Sequence, residues 1–451
     1  MKLVTPSLLV EDSDGFRNDV LQRKQFGEAL LNLVTISTDE LVISLDGKWG
    51  EGKTTFVRMW QGLLKEKGIP SIYIDAFQND YTEDAFISIA SAITSYVDLN
   101  SAEDLKSSDF RDKAKKVGVR LLTWTAKVGI KAATLGIIKE SDIHALSEIG
   151  DEIAADTSET IADLVKERLD SHSKETELIQ SFRKSLSDLP ENLIDNKSGR
   201  LIIVIDELDR CRPSFAVEVL EKIKHLFSVK NVVFLLVMNK QQLEEAIKSV
   251  YGAEIDAHTY LQKFINVETS IPKRVTDRYS NDIKLYIDKL LQLHKITTWG
   301  DDQHIAEYLL PLAKHFNLSL RQLEKVFTNL AIIYSTSGEN HLRLVPIIVF
   351  IAVLKVVNSN LYGNLLLGAI SFSTIYEQLG FHELNEEDKD QRYLANLLSF
   401  VRFSMLSESE YQGVAENDPI RQFEGSPRRY GVNRQKIVSI FCQKLNMLTV
   451  N

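Results

Sequence analysis

Residues 41–55, LVISLDGKWGEGKTT, constrain the fold of this chain more than any other stretch. They hold the pattern G-x-x-x-x-G-K-T, with Gly47, Gly52, Lys53 and Thr54 at its fixed places. The apolar run Leu41–Leu45 before it reads as a buried strand, and Thr54–Glu66 after it as a helix that Gly68 stops. Strand, glycine loop and helix in that order are the setting in which this pattern holds phosphate. Glycines let the backbone N–H groups close around an anion, because side chains there would block its approach. The expected nucleotide-binding set is Gly47, Trp49, Gly50, Glu51, Gly52, Lys53, Thr54 and Thr55. Lys53 is expected to reach the β- and γ-phosphates, and Thr54 to offer its hydroxyl to Mg²⁺.

A second segment, LIIVIDELDRCR at 201–212, strengthens the reading. Five apolar residues, four of them β-branched, suit the centre of a parallel sheet. Asp206 falls at the C-terminal end of that strand, where open α/β sheets bind ligands. It is the expected second anchor for Mg²⁺, through water. Glu207 follows at once and is placed to orient and deprotonate the water that attacks the γ-phosphate. Asp209 is a candidate for the same work. Arg210 is placed to pair with Asp206 or Asp209, or to reach a neighbouring protomer. A further strand, Val232–Met238, ends at Asn239, whose amide can donate to phosphate and hold water together. In P-loop ATPases with an additional strand, a polar residue here senses the γ-phosphate.

Composition narrows the partners. The chain has 451 residues, enough for two or three domains. Its net charge is −10, whereas a surface devoted to nucleic acid is more often basic. Cys211 and Cys442 are the only cysteines, and they fit no metal spacing and no disulfide framework. The N-terminus turns acidic too early for a secretory signal. The strongest apolar stretch, Leu344–Leu354, contains Pro346 and suits a buried core helix better than a membrane span.

Along the chain, residues 12–34 read as a helix leading into the first strand, and Ser71–Asp75 as another strand. Lys53 and Asp206 lie 153 positions apart, long for a compact core, so an insertion is expected within about 100–195. It carries Lys113, Lys116, Arg120, Lys127 and Lys131 on one narrow side of an otherwise apolar helix. Such a helix over 113–138 can lie on a membrane surface or pack against a partner or a neighbouring domain. Residues 141–185 follow as an acidic helical stretch. Beyond residue 270 the pattern is helical throughout, at about 276–295, 302–315, 318–335, 342–358 and 433–447, with Glu386–Asp390 as a short charged loop.

WGEGKTT and DELDRC, each after an apolar strand, together with YLQKFINVETSIP, resemble the KAP family of P-loop NTPases. DVLQRKQFGEAL, YIDAFQND and LVPIIVFIAVLKVVNSNLY extend the resemblance over about 12–365. Phe77 stands where the family usually has Trp. Many members carry transmembrane helices between the two nucleotide motifs, where this chain has its charged insertion. The resemblance implies an α/β fold: a three-layer P-loop NTPase core with a parallel sheet, a helical insertion and an all-helical C-terminal lid domain. The expected division is 1–100 and 196–274 for the two parts of the core, 101–195 for the insertion and 275–451 for the lid. It also implies ATP and Mg²⁺ as cofactors. Lys263 sits where related ring-forming ATPases place a trans-acting arginine, and Arg321 resembles a sensor arginine that reads the γ-phosphate.

Bacterial members are similar to components of phage-exclusion systems, and animal members to membrane-associated signalling scaffolds. The function implied is MgATP binding and hydrolysis that switches or assembles a multi-protein complex in anti-phage defence. A nucleic-acid-directed ATPase and a membrane-associated nucleotide-binding scaffold are the alternatives. Expected partners are other protein chains of such a complex and further copies of this chain, in a cytoplasmic setting with peripheral contact at the inner membrane.

Overall fold

Five short segments pair side by side, all parallel: β1 (Leu41–Asp46), β2 (Ser71–Asp75), β3 (Leu201–Asp206), β4 (Val232–Met238) and β5 (Val267–Ser270), in the order β2-β3-β4-β1-β5. The computed structural model describes residues 1–6, 15–37, 39–82, 84–100, 104–126, 176–194, 196–273, 282–381 and 389–446. The central strands have no polar face because helices cover both sides. Leu201, Ile203 and Ile205 of β3 join one core, while Ile202 and Val204 join the opposite one. β4 divides in the same way, Phe234 and Leu236 on one side and Val233, Leu235 and Val237 on the other.

Helices α1 (Lys24–Ile36) and α2 (Lys53–Glu66) cover one face. The other face is covered by α3 (Ala85–Asn100), α4 (Asp104–Ala126), α5 (Pro213–Lys222) and α6 (Lys240–Tyr251). This is the expected three-layer α/β core. One local expectation is corrected, and one element is new. Residues 15–23 form turns and loop, and helix begins only at Lys24, whose N–H is taken by the Asp19 carboxylate. Gly15 lies so close to the Met59 carbonyl that a Cβ would meet it at 2.2 Å, so chain crossing rather than helix decides that stretch. β5 went unforeseen, because four residues at a sheet edge carry little pattern.

The arms of the insertion pack against the core. Phe110, Ala114 and Val117 of α4 are buried. Phe182, on a helix over 176–188, lies 5.5 Å from Phe86 and 5.6 Å from Phe110 and from Phe227, between ring centroids. Lys113 turns outward and pairs with Asp109 at 2.7 Å. The rest of the basic stripe from Lys127, the span to 138 and the acidic stretch 141–175 lie outside the described residues. Among the described residues, no helix is long and apolar enough to cross a membrane.

The C-terminal region builds a separate helical core from α7 (Asp282–His294), α8 (Asp302–His315), α9 (Leu320–Ser335), α10 (Val345–Val357), α11 (Lys389–Met405) and α12 (Ile437–Asn446). Every residue from Val345 to Leu354 is buried, so the most apolar run of the chain is the axis of this bundle. Lys389 and Asp390 open α11, a correction to the charged loop expected at Glu386–Asp390. A Ser319–Gln322 capping box starts α9 and sets its first turn against the glycine loop.

Candidate nucleotide site

β1 ends at Asp46, and the chain turns through Gly47–Gly52 into α2. Gly50 and Gly52 both hold left-handed backbone, at φ 81° and 82°, which side chains adopt only at a cost. The loop therefore closes on the N-terminus of α2, where free N–H groups and the helix dipole favour an anion. Lys53 Nζ lies inside the loop and donates to the Gly47 carbonyl at 2.6 Å and the Lys48 carbonyl at 3.3 Å. Burial holds its pKa below the usual lysine value, against the pull of Asp209, Asp206, Glu51 and Asp46. A buried ammonium among carbonyls is poised to exchange them for phosphate oxygens.

The strand order brings the second motif alongside. β4 lies between β1 and β3, so the loop and Asp206 stand two strands apart, about 10 Å. Thr54, on the first turn of α2, spans the gap: its Oγ1 donates to Asp206 Oδ2 at 2.7 Å. Asp206 is 1% exposed and also accepts from Tyr73 Oη at 2.9 Å and from the Glu207 N–H at 2.8 Å. A hydroxyl and a fixed carboxylate side by side are hard oxygen donors of the kind Mg²⁺ takes alongside phosphate and water.

Glu207 leaves the strand in left-handed backbone at φ 61°, a strained state for a non-glycine residue. Its carboxylate pairs with Arg210 at 2.9 Å. Arg210 thus bonds Glu207, not Asp206 or Asp209 as the sequence suggested. Burial pushes the Glu207 pKa up, and Arg210 opposes it. Asp209 accepts instead from Trp49 Nε1, a bond that ties the glycine loop to the acidic turn.

One cavity of about 460 Å³ is lined by Trp49, Gly50, Gly52, Lys53, Thr54, Thr55, Asp206 and Glu207, and Arg321 of the helical region reaches the same cavity. Gly47 lies behind Lys53 and accepts from it. Glu51 faces elsewhere: its carboxylate takes the Lys48 N–H at 2.9 Å and pairs with Lys273. Asn239 stands at the tip of β4, next to the Gly47 N–H that bonds Met238 O at 3.2 Å, but it is not part of the cavity wall. Lys263 lies on the surface over the Tyr260 ring, 5.1 Å from its centroid, and is likewise outside the wall. Sequence reasoning missed Tyr73, whose signal was a tyrosine two residues before the end of the strand that pairs with β3. It also missed Arg58, Tyr286 and Lys289 in the wall, which no local pattern marks.

The strand inserted between phosphate loop and acidic strand gives the chain the topology of the additional-strand P-loop NTPases. The narrower assignment comes from sequence. The model of the KAP family P-loop domain matches residues 23–337, and the chain belongs to that family. Over 166 residues it is 22% identical to the phage T7 exclusion protein of Escherichia coli (strain K12), covering 36% of this chain. That alignment spans only 22% of the relative's length. Two structures of the Aeropyrum pernix ORC2 protein also align. The ADPNP–ADP complexes match at TM-score 0.36 and 13% identity, over 98% of this chain and 96% of that one. The ADP form matches at 0.33 and 11%, over 99% and 97%.

Proposed function

We propose that this chain binds MgATP between its P-loop core and its helical region, hydrolyses it, and uses the cycle to change how the two parts close on one another. The observation that carries this is the Thr54–Asp206 hydrogen bond of 2.7 Å, set beside Lys53 and Glu207 in a cavity that Arg321 also lines. Lys53 and the loop N–H groups hold the phosphates. Thr54 and Asp206 hold Mg²⁺, which when bound neutralises phosphate charge. Glu207 accepts the proton of the attacking water, and its raised pKa makes it a better base than an exposed carboxylate. Pro6, Val20, Met59 and Leu293 supply apolar wall for the base.

Arg321 donates its N–H to the Gly50 carbonyl at 3.2 Å, so the first turn of α9 is attached to the loop that holds phosphate. A change of charge there is felt at once by the helical region, which supports its role as a lid and switch. The similarity to a phage exclusion protein supports a setting in anti-phage defence, beside other protein chains. Lys263, exposed at the end of a short helix, supports assembly of further copies in which it reaches a neighbour's nucleotide.

Turnover by the purified chain tests this, with Glu207→Gln alongside. The variant should keep nucleotide affinity and lose turnover by about 100-fold or more. Tight binding without turnover in the wild type, alone and with DNA, RNA or protein partners added, would leave a nucleotide-stabilised scaffold instead.

A further inference from the structure

A second and larger cavity, of about 990 Å³, lies between the core and the helical region, on the other side of the glycine loop. The loop is a wall shared by two chambers. Lys53, Thr54 and Gly52 line the chamber described above, whereas Lys48 and Glu51 line this one. The seam between them is the bond from the Arg321 N–H to the Gly50 carbonyl, and Trp49, Leu320 and Arg321 border both.

The lining is strongly cationic. Seven of its 20 residues are Lys or Arg and two are acidic, on a chain where acidic residues outnumber basic ones 63 to 53. Of the two carboxylates, Glu51 is already paired with Lys273. Lys314, Arg321 and Lys325 come from the end of α8 and two successive turns of α9, and Lys355 from α10. Lys355 adds charge to the wall without a contact to offer, because its Nζ donates to Asn446 Oδ1 at 3.3 Å and lies over the Tyr362 ring. So many like charges around one chamber repel each other and raise the local potential for anions. Between the cations lie Ile283, Leu318, Leu320 and Val356, an apolar surface on which a base or similar ring can rest. The volume falls within the range of sites for small molecules, roughly 300–1,000 Å³.

We propose that this chamber binds a second nucleoside phosphate, its phosphates held by Lys314 and Lys325 beside the Glu51–Lys273 pair and its base against Leu318, Leu320 and Val356. The ligand would touch two parts of the loop's outer scaffold, the Glu51–Lys273 pair and the Gly50–Arg321 seam. Occupancy here would therefore bias the loop that holds phosphate on its far side. The inference is independent of whether the first chamber turns nucleotide over.

Equilibrium dialysis of the 451-residue chain with radiolabelled ATP, GTP and tripolyphosphate tests it. The wild type should bind two equivalents of at least one probe. Lys53→Ala should keep one equivalent, which isolates the second chamber from the P-loop site. The double variant Lys314→Glu, Lys325→Glu should keep the P-loop equivalent and bind the other about 100-fold more weakly. Both lysines are exposed, so the fold should tolerate the change; Lys314→Ala, Lys325→Ala serves as the milder version, checked by circular dichroism. A single equivalent in the wild type with all three probes overturns the proposal. So does a second equivalent that is indifferent to charge at 314 and 325.

Discussion

At the scale of single residues, the site is a set of environments imposed on ordinary side chains. Glu207 must be ionised to act as a base, and burial raises its pKa while Arg210 lowers it. Turnover should therefore fall as pH drops through a value above that of an exposed glutamate, and be retained above it. Arg210→Ala removes the opposing charge, so the acid limb of the kcat/KM profile should move to higher pH. An unmoved limb would mean that the 2.9 Å ion pair does not act on the base. Tyr73 is a positioning residue: its ring packs against the core while its hydroxyl donates to Asp206 and fixes the carboxylate beside Thr54. Tyr73→Phe should raise the Mg²⁺ concentration for half-maximal turnover by about tenfold, the usual size of an outer-shell effect. If the Mg²⁺ dependence is unchanged and only stability drops, the tyrosine is a packing residue. Lys53 and Thr54 were legible in the sequence because their work is done at fixed spacing within one turn of chain. Tyr73 was not, since its partner is 133 positions away.

At the scale of elements, the glycine loop is held by geometry on both sides. Its positive-φ glycines let it close, and the capping box of α9 presents Ser319 and Arg321 to its back. A Cβ on Gly50 would lie 2.7 Å from the Arg321 Cβ, which neither backbone can yield. Gly50→Ala should therefore cost about 2 kcal/mol or more, from left-handed strain plus the broken seam. Urea unfolding with and without nucleotide checks this. A variant as stable as the wild type, with unchanged affinity, would show that the α9 turn is not seated on the loop. Strands β1, β3 and β4 were readable because a strand buried on both faces is apolar throughout, and the edge strand β2 because it alternates, with Ile72 and Ile74 buried between partly exposed neighbours. β5 was not, because its four residues, VETS, at a sheet edge include only one apolar side chain and none that is fully buried.

At the scale of the whole molecule, the N-terminus is tied to the helical region. Lys2 donates its N–H to the His294 carbonyl at 2.7 Å, and Thr328 donates to the Leu3 carbonyl at 2.8 Å. His294 is fully buried, with Nδ1 2.8 Å from the Lys2 carbonyl and Nε2 2.9 Å from the Thr5 hydroxyl, so a neutral ring satisfies both. Burial lowers its pKa from the ordinary 6.5. The unfolded chain then binds the proton more readily, so this contribution is complete above the ordinary value and is lost as pH falls below it. The slope is at most about 1.4 kcal/mol per pH unit. The thermal midpoint should drop between pH 7.5 and 5.5, and His294→Gln should shrink that drop; an equal drop in the variant would assign it to other groups.

The sequence alone determined the phosphate loop, the acidic strand end, the two-sided burial of the sheet and the apolar axis of the helical bundle. Each is written in neighbouring residues, where backbone geometry and periodicity act locally. Only the tertiary structure decided that Arg321 meets Gly50, that Arg210 takes Glu207, and that the loop borders two chambers. Those contacts join segments far apart in the chain. They depend on how strand order and helix docking bring surfaces together, which no local pattern encodes.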